Sequence, residues 1–490
     1  MHEVWGMLME LNVMGAHLPF RALMRLSRVN RRLWQTYTAT WPMLWRARRD
    51  TKPADFRVVM VLAVTKSAVE HVRVLTAFPM QPPDKQMLKM LCQRINGQTL
   101  LHMAVRMQAQ RPSDARLAVV RALLKAGGRT LANKHMREQD DGDTVRVGAS
   151  VMHIAAQGRC VLTAQALLEV DSEGLLMHST EKGSCLHVAA VRACIPVLQT
   201  FMRAGGERLA LECNAARLTC LHIAASLGRL PAVDEMVEAG PEQLLGMRND
   251  DGATALFLAA QNGHVSVVKR LIRAGGRELV MIPRFNGTSC LLICAIKGHY
   301  EIMLDLLEAG GRPLTLLRHN NGSSCLHMAA FGGFHMSVAA LLAHGGRELV
   351  MMQTNTGTTC LHTAASEGHV DVVEKLVSVG GAELLLCVDR LGRSCLWLAA
   401  RAGHVDVVRW LVARGGRELL LRTSRDGASC LFASVVHGHL ATVQVLLGAG
   451  GQELLELTRA HARTVACELV ELCTRRGFEE MARVLAAAAG

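Results

Sequence analysis

Aromatic residues are scarce in this chain: 4% of its 490 residues, although 50% are hydrophobic. A core drawn from Ala, Leu, Val, Met and Cys points to closely packed small-residue helices and argues against a sheet sandwich. Long apolar runs are missing too. The hydrophobic residues come in short groups broken by Arg, Glu, Gly and His, and none approaches the roughly 20 residues of a membrane-spanning helix. The opening stretch MHEVWGMLME has an acid at position 3, no basic region and no small-residue cleavage site, so it does not read as a signal peptide. Fifteen cysteines without secretion signals fit free, buried thiols in a reducing compartment, and the expected location is the cytosol or nucleus.

A dense Lys/Arg run is also lacking, despite a formal net charge of +13. The arginines are spread along the chain and alternate with Glu, as in GGRELV and GGRELL. With little aromatic interleaving to stack bases, this reads as a dispersed, solvated face and argues against nucleic acid as partner. Residues 21–57, rich in Arg and poor in acids, are the exception. There is no G-x-x-x-x-G-K-[ST], no H-E-x-x-H and no C-x-x-C pair, so nothing organises a phosphate cradle, a zinc protease site or a dithiol. An enzyme is not expected. At this length the chain exceeds one ordinary core, which leaves several domains or a repeat array.

What is present is a ruler. The stretch TTCLHTAASEGHVDVV, residues 358–373, sets Cys360, His362 and His369 close together, as a metal or thiol site would. Cys360 has counterparts at Cys185, Cys220, Cys290, Cys325, Cys395 and Cys430, with Ala255 in the remaining slot, every step being 35 residues. Gly240, Gly275, Gly310, Gly345, Gly380, Gly415 and Gly450 keep the same period. Each unit reads as a Gly-containing turn, a capping hydroxyl (Ser289, Ser324, Thr359, Ser394 or Ser429) and a short helix CLHxAAxxG. GHVDVV then opens a second helix with apolar residues at helical spacing, Val370, Val372, Val373, Leu376 and Val377. A Gly-Gly pair is expected to close it, followed by an extended finger.

The run T-C-L-H-x-A-A-x-x-G-H-x-x-V-V resembles the ankyrin repeat pattern, with Cys where that family has Pro. The family period is about 33 residues; here two additional residues fall between the Gly-Gly pair and the next turn. The resemblance covers roughly residues 85–490 and implies an all-α, helix-turn-helix solenoid with finger loops. The units begin near Asn96, Gly148, Gly183, Arg217, Gly252, Gly287, Gly322, Gly357, Gly392 and Gly427. QAQRPSD interrupts the first, and MREQDDGDTVRV, a surface-loop composition, precedes the second. The expected organisation is residues 1–50 as a separate module, 51–95 as linker and degenerate cap (57–78), 96–461 as about ten repeats and 462–490 as a terminal cap with a polar outer face.

The ruler recasts the Cys-His cluster. Metal ligands must converge at about 2.0–2.3 Å, whereas Cys360 and His362, two residues apart on one helix, diverge. Cysteines one layer apart, about 8–10 Å by helix packing, are too distant for a shared ion or a disulfide. In the family the histidine of this motif ties adjacent turns by hydrogen bonds, a role the resemblance gives to His102, His153, His187, His222, His327 and His362. His264, His299, His369, His404 and His439 read likewise. Neither a metal nor a cofactor is expected.

Near the N-terminus, Leu23, Leu26, Val29 and Leu33 form an apolar stripe among Arg25, Arg28, Arg31 and Arg32. The stripe is compatible with a helix capping the solenoid or with a basic segment resting on membrane or nucleic acid. The run LMRLSRVNRRLWQTYTATWPMLW also resembles the second half of an F-box, through Leu23, Leu26, Val29, Trp34, Leu44 and Trp45. That resemblance implies a small three-helix module binding the Skp adaptor of cullin-based ubiquitin ligases, with the repeats holding a substrate.

By the ankyrin family's geometry, a protein partner meets the finger tips and the exposed ends of the first helices. Those positions are Arg284, Phe285, Arg318, His319, Gln353, Asn355, Arg390 and Arg425 on the fingers, and Lys297, Phe331, Glu367 and Arg401 on the helices, with Gln261, Asn262 and His437 alongside. Phe285 and Phe331 stand out, because aromatic side chains are enriched among binding hot spots. The expected function is a monomeric protein-interaction module, either a substrate receptor of an SCF-type ligase or a scaffold without a ligase link.

Overall fold

The computed structural model describes residues 97–136, 148–464 and 469–488, together with 64, 88–89 and 91–94. Leu23, Leu26, Val29, Trp34, Leu44 and Trp45 lie outside the described residues, as does the expected cap at 57–78 apart from residue 64. The chain divides into two compact units, residues 1–180 with 203–205, and residues 181–202 with 206–490.

Among the described residues of the first unit, two helix pairs carry the fold. Helix Leu100–Gln110 is capped by Thr99, breaks at Arg111-Pro112, and gives way to Asp114–Ala132, capped by Ser113. The QAQRPSD interruption is thus mostly helix with a tight break. Helices Val151–Gln157, Val161–Leu168 and Ser172–Leu176 follow. Around the acidic-polar stretch, the Met136 amide donates to the Ala149 carbonyl at 2.9 Å and the Gly148 amide to Met136 at 3.0 Å. The described residues on either side of it, Met136 and Gly148–Ala149, are thus joined by main-chain hydrogen bonds.

The second unit is a stack of helix pairs. Its most regular repeats run Cys290–Lys297 with Tyr300–Thr315, Cys325–Phe331 with His335–Val350, Cys360–Glu367 with Val370–Leu385, and Cys395–Ala402 with Val405–Leu420. First helices pack on first helices and second on second. The hydroxyl before each cysteine is the N-cap: Thr359 accepts from the His362 amide, and Ser394 from that of Trp397. Leu361, Ala364, Ala365, Val372, Val373 and Leu376 are buried, whereas Val370 and Val377 are half-buried at the edges of the stripe. Each buried Leu or Val contributes on the order of 1.5–3 kcal/mol over exposure. The alanines bring neighbouring helices close together, which is why the core needs few aromatics.

The Gly-Gly pair does not close the second helix. The chain kinks at the second glycine and resumes helical geometry, so that Val370–Leu385 is one 16-residue element with Gly381 at φ 65°, ψ −161°. Gly346 and Gly416 repeat this at φ 57° and 55°. That corner of backbone space is essentially reserved for glycine. The apolar residues after the pair, such as Leu384 and Leu385, are buried by this extra turn and do not belong to an extended finger. The finger is shorter, a tight turn stitched by antiparallel bridges Arg318–Ser324, Gln353–Thr359 and Val388–Ser394.

The added turn explains the cysteine. A helix end leaves carbonyls without partners. The Cys360 thiol donates to the Val350 carbonyl at 3.5 Å, across from the end of the preceding element. Cys220, Cys325, Cys395 and Cys430 make the same bond to Ala210, Thr315, Leu385 and Leu420 at 3.5–3.7 Å. Proline at this position has no side-chain donor with which to do so.

Candidate functional site

The histidines of the first helices hold consecutive repeats together. In the repeat at 357–367, the Thr359 hydroxyl and the His362 ring Nδ1 lie 2.7 Å apart, and Nδ1 also accepts from the Thr359 amide at 3.3 Å. With Nδ1 an acceptor, the proton sits on Nε2, which donates to the Arg393 carbonyl of the next finger at 3.1 Å. His187, His222 and His327 reach forward in the same way to Leu218, Ala253 and Thr358 at 2.9–3.1 Å. Burial pushes His222, His327 and His362 down to about 4, so these rings are neutral at physiological pH.

The second histidine series runs the other way. His264, His369, His404 and His439 precede the second helices, and each Nε2 donates back to a carbonyl of the preceding repeat, Ser226, Phe331, Ser366 and Arg401, at 2.8–3.0 Å. Each ring lies on a turn glycine. A Cβ on Gly368, at φ 83°, would stand 2.5 Å from the His404 ring. Phe334 and Phe478 fill this slot in two places by packing on Gly298 and Gly438, keeping the contact without the hydrogen bond. The two series therefore tie neighbouring repeats in both directions, forward where the first helix carries the histidine and back where the second helix is preceded by one.

The cysteines are equally committed. Cys220, Cys290, Cys325, Cys360, Cys395 and Cys430 are fully buried, and burial pushes their thiols up to about 12. A thiol held neutral is neither a nucleophile nor a metal ligand. Among the described residues no group of three His, Cys, Asp or Glu side chains is placed to hold a metal ion.

The surface residues expected to meet a partner separate into three groups. Phe285, Asn355, Arg390 and Arg425 stand exposed on the fingers, and Lys297, Phe331, Glu367 and Arg401 on the first-helix ends. Phe285 is 63% exposed and Phe331 57%. Arg318 and Gln353 are exposed but sit in the finger stems, and His319 is half-buried with its ring Nδ1 accepting from the Asn321 amide at 3.2 Å. Arg284 is different. It is half-buried, bonded to Asp251 at 2.8 Å and stacked over Phe257 at 5.3 Å, so its guanidinium is committed to the frame. Arg248 similarly covers one face of the Phe285 ring at 4.5 Å. Sequence reading passed over Leu391, 56% exposed at a finger tip, and Ile296, 43% exposed one repeat before Phe331. Their positions on the ruler, beside Arg390 and level with Phe331, were the available signal.

The tips are bound into a continuous main-chain ladder. The amides of Phe285, Asn320, Asn355, Arg390 and Arg425 donate to the carbonyls of Asp251, Asn286, Asn321, Thr356 and Leu391 at 2.8–3.3 Å. Consecutive tips are thereby held at fixed spacing, and their side chains project from a rigid edge.

A family model of ankyrin repeats, three copies in length, matches residues 186–280, 221–315, 291–386 and 380–455. These matches run without a break over more than half of the chain, which belongs to the ankyrin-repeat family. Comparison with curated proteins found no match. No helix among the described residues is long and apolar enough to cross a membrane.

Proposed function

We propose that the repeats bind a protein partner along the finger tips and first-helix ends, and that residues 1–50 couple them to the Skp adaptor of a cullin-based ubiquitin ligase. The chain would then be a substrate receptor without catalytic groups of its own, working as a monomer in the cytosol or nucleus. Membership of the ankyrin-repeat family supports the protein-binding part. The observation that carries it is the division of labour between columns of the repeat. Cysteines and histidines spend their hydrogen bonds inside the stack, while Phe331, Glu367 and Arg401 occupy one region of the first helices, exposed and different in each repeat.

The adaptor part is supported by the resemblance of the run with Leu23, Leu26, Val29, Trp34, Leu44 and Trp45 to the second half of an F-box. The test is a pull-down with purified Skp adaptor, comparing the full chain, a chain lacking residues 1–50, and Leu26→Asp. Capture by the full chain, lost in both variants, is expected. Capture unaffected by either change, or no capture at all, overturns the receptor reading and leaves a scaffold.

A further inference from the structure

One column of the finger ladder runs Asp250, Phe285, Asn320, Asn355, Arg390, Arg425, one residue per repeat. All six are exposed. It begins with an acid, passes three uncharged side chains and ends with two arginines. We propose that this column is a charge-polarised docking strip for an extended peptide segment, with its basic end at Asp250, an apolar residue against Phe331, and its acidic end at Arg390 and Arg425. The proposal rests on the reading of the fingers as the partner-binding surface and specifies the partner's chemistry.

Several charges elsewhere on the second unit are used between repeats. Arg312 pairs with Glu348, Arg347 with Glu383 and Arg417 with Glu453, each joining one repeat to the next. The charged ends of the tip column make no such pair. The carboxylate of Asp250 and the guanidinium groups of Arg390 and Arg425 take part in no hydrogen bond or ion pair among the described residues. Nor do the two ends serve each other. Helix layers about 8–10 Å apart put Asp250 roughly 30–40 Å from Arg390, well beyond the Debye length of about 8 Å at physiological salt. The separated signs therefore give the fold nothing, and they remain available to a ligand long enough to span them. At about 3.3 Å per residue such a segment needs roughly 10–15 residues in extended form.

The ladder makes the strip suitable. Its amides are already bonded to the preceding fingers, so the tips do not need ordering when a peptide arrives. Phe331 lies at the end of helix Cys325–Phe331, in the repeat that follows the Asn320 finger, near the middle of the strip. Complementary charge at both ends would fix the direction of the bound segment and discriminate against uniformly acidic or basic partners.

The test uses the full chain and fluorescent synthetic peptides with a central Leu-Phe pair, read by anisotropy near physiological salt. The peptides carry a lysine block followed by a glutamate block, the reverse order, glutamate at both ends, or lysine at both ends. One polarised order is expected to bind about tenfold more tightly than either uniform peptide. Combining Asp250→Lys with Arg390→Glu and Arg425→Glu should transfer that preference to the opposite order. If the all-glutamate peptide equals the better polarised one, or the triple variant keeps the original ranking, the polarity is overturned. Absence of binding by every peptide overturns it as well. Phe331→Glu distinguishes the two levels of inference. Peptides that bind without charge-order preference but are lost in Phe331→Glu leave the docking surface standing and remove only its polarity. Binding indifferent to both Phe331→Glu and the triple variant removes the surface itself.

Discussion

Two repeats of the second unit close their second helices differently. In one, helix Leu230–Ala239 stops at Gly240 in ordinary extended backbone, Pro241 follows, and a separate short helix spans Gln243–Gly246. In the other, His335–Val350 continues through a kink at Gly346 as one element. The residue that starts the next first helix differs too: Ala255 after the first, Cys360 after the second. Cys360 donates to the last carbonyl of the kinked element. Here the kink glycine, the continued helix and the cysteine occur together, although Cys185 follows helix Ser172–Leu176 without such a kink. In the kinked repeats the Cys that stands in place of Pro bonds the end of the added helical turn.

That comparison can be broken in several ways, and acid gives the largest effect. His222, His327 and His362 titrate near 4 when folded and near 6.5 when unfolded. Their folded values are depressed, so the unfolded chain binds protons first. Stability is full above about pH 6.5 and falls on acidification to about pH 4, by about 1.4 kcal/mol per pH unit for each ring. Phe257, Leu292, Trp397 and Phe432 occupy the same position in other repeats. Hydrogen exchange at pH 5 against pH 7 should therefore show loosening concentrated where the ring is histidine. Uniform loosening, or none, would argue against the neutral-ring tie.

Gly346→Ala comes next. No atom lies within 4 Å of a Cβ there, so the cost is conformational, about 2 kcal/mol from a backbone reserved for glycine. A lowered urea midpoint checks it, and an unchanged midpoint would mean the kink is dispensable. Cys360→Ala should cost about 1–2 kcal/mol through the lost contact and the orphaned Val350 carbonyl, while Ala255→Cys should give no gain. Urea midpoints of both variants decide it. A gain from Ala255→Cys would show that the thiol acts without the kinked element. The smallest effect belongs to Arg347→Ala, which removes an exposed pair with Glu383 and should cost less than about 0.5 kcal/mol. A larger change in its midpoint would make the outer ladder structural.

The repeat was legible because its markers have one structural use each. Thr359 could only be a cap and Gly368 a left-handed turn, and both are. The Gly-Gly pair was ambiguous, since a glycine that ends a helix and one that kinks it leave the same trace; only the burial of Leu384 and Leu385 separates them. The bond from Cys360 to Val350 was hidden because its partner is a main-chain carbonyl, to which sequence gives no clue. Arg284 looked like an exposed tip residue until Asp251 and Phe257 were found beside it, both in the repeat before. The tip ladder was out of reach for the same reason as the thiol bond, being main chain at both ends.

The central claim is that the Cys-Leu-His motif is a frame and carries no chemistry of its own. Mass-spectrometric mapping of alkylation by iodoacetamide on the native full chain tests it most directly. Cys213 and Cys387, half-buried, should be modified first, with Cys220, Cys290, Cys325, Cys360, Cys395 and Cys430 protected until the chain is unfolded. Native-state labelling of Cys360 and its counterparts at the rate of Cys387 would mean that these thiols are accessible and reactive, and would contradict the claim.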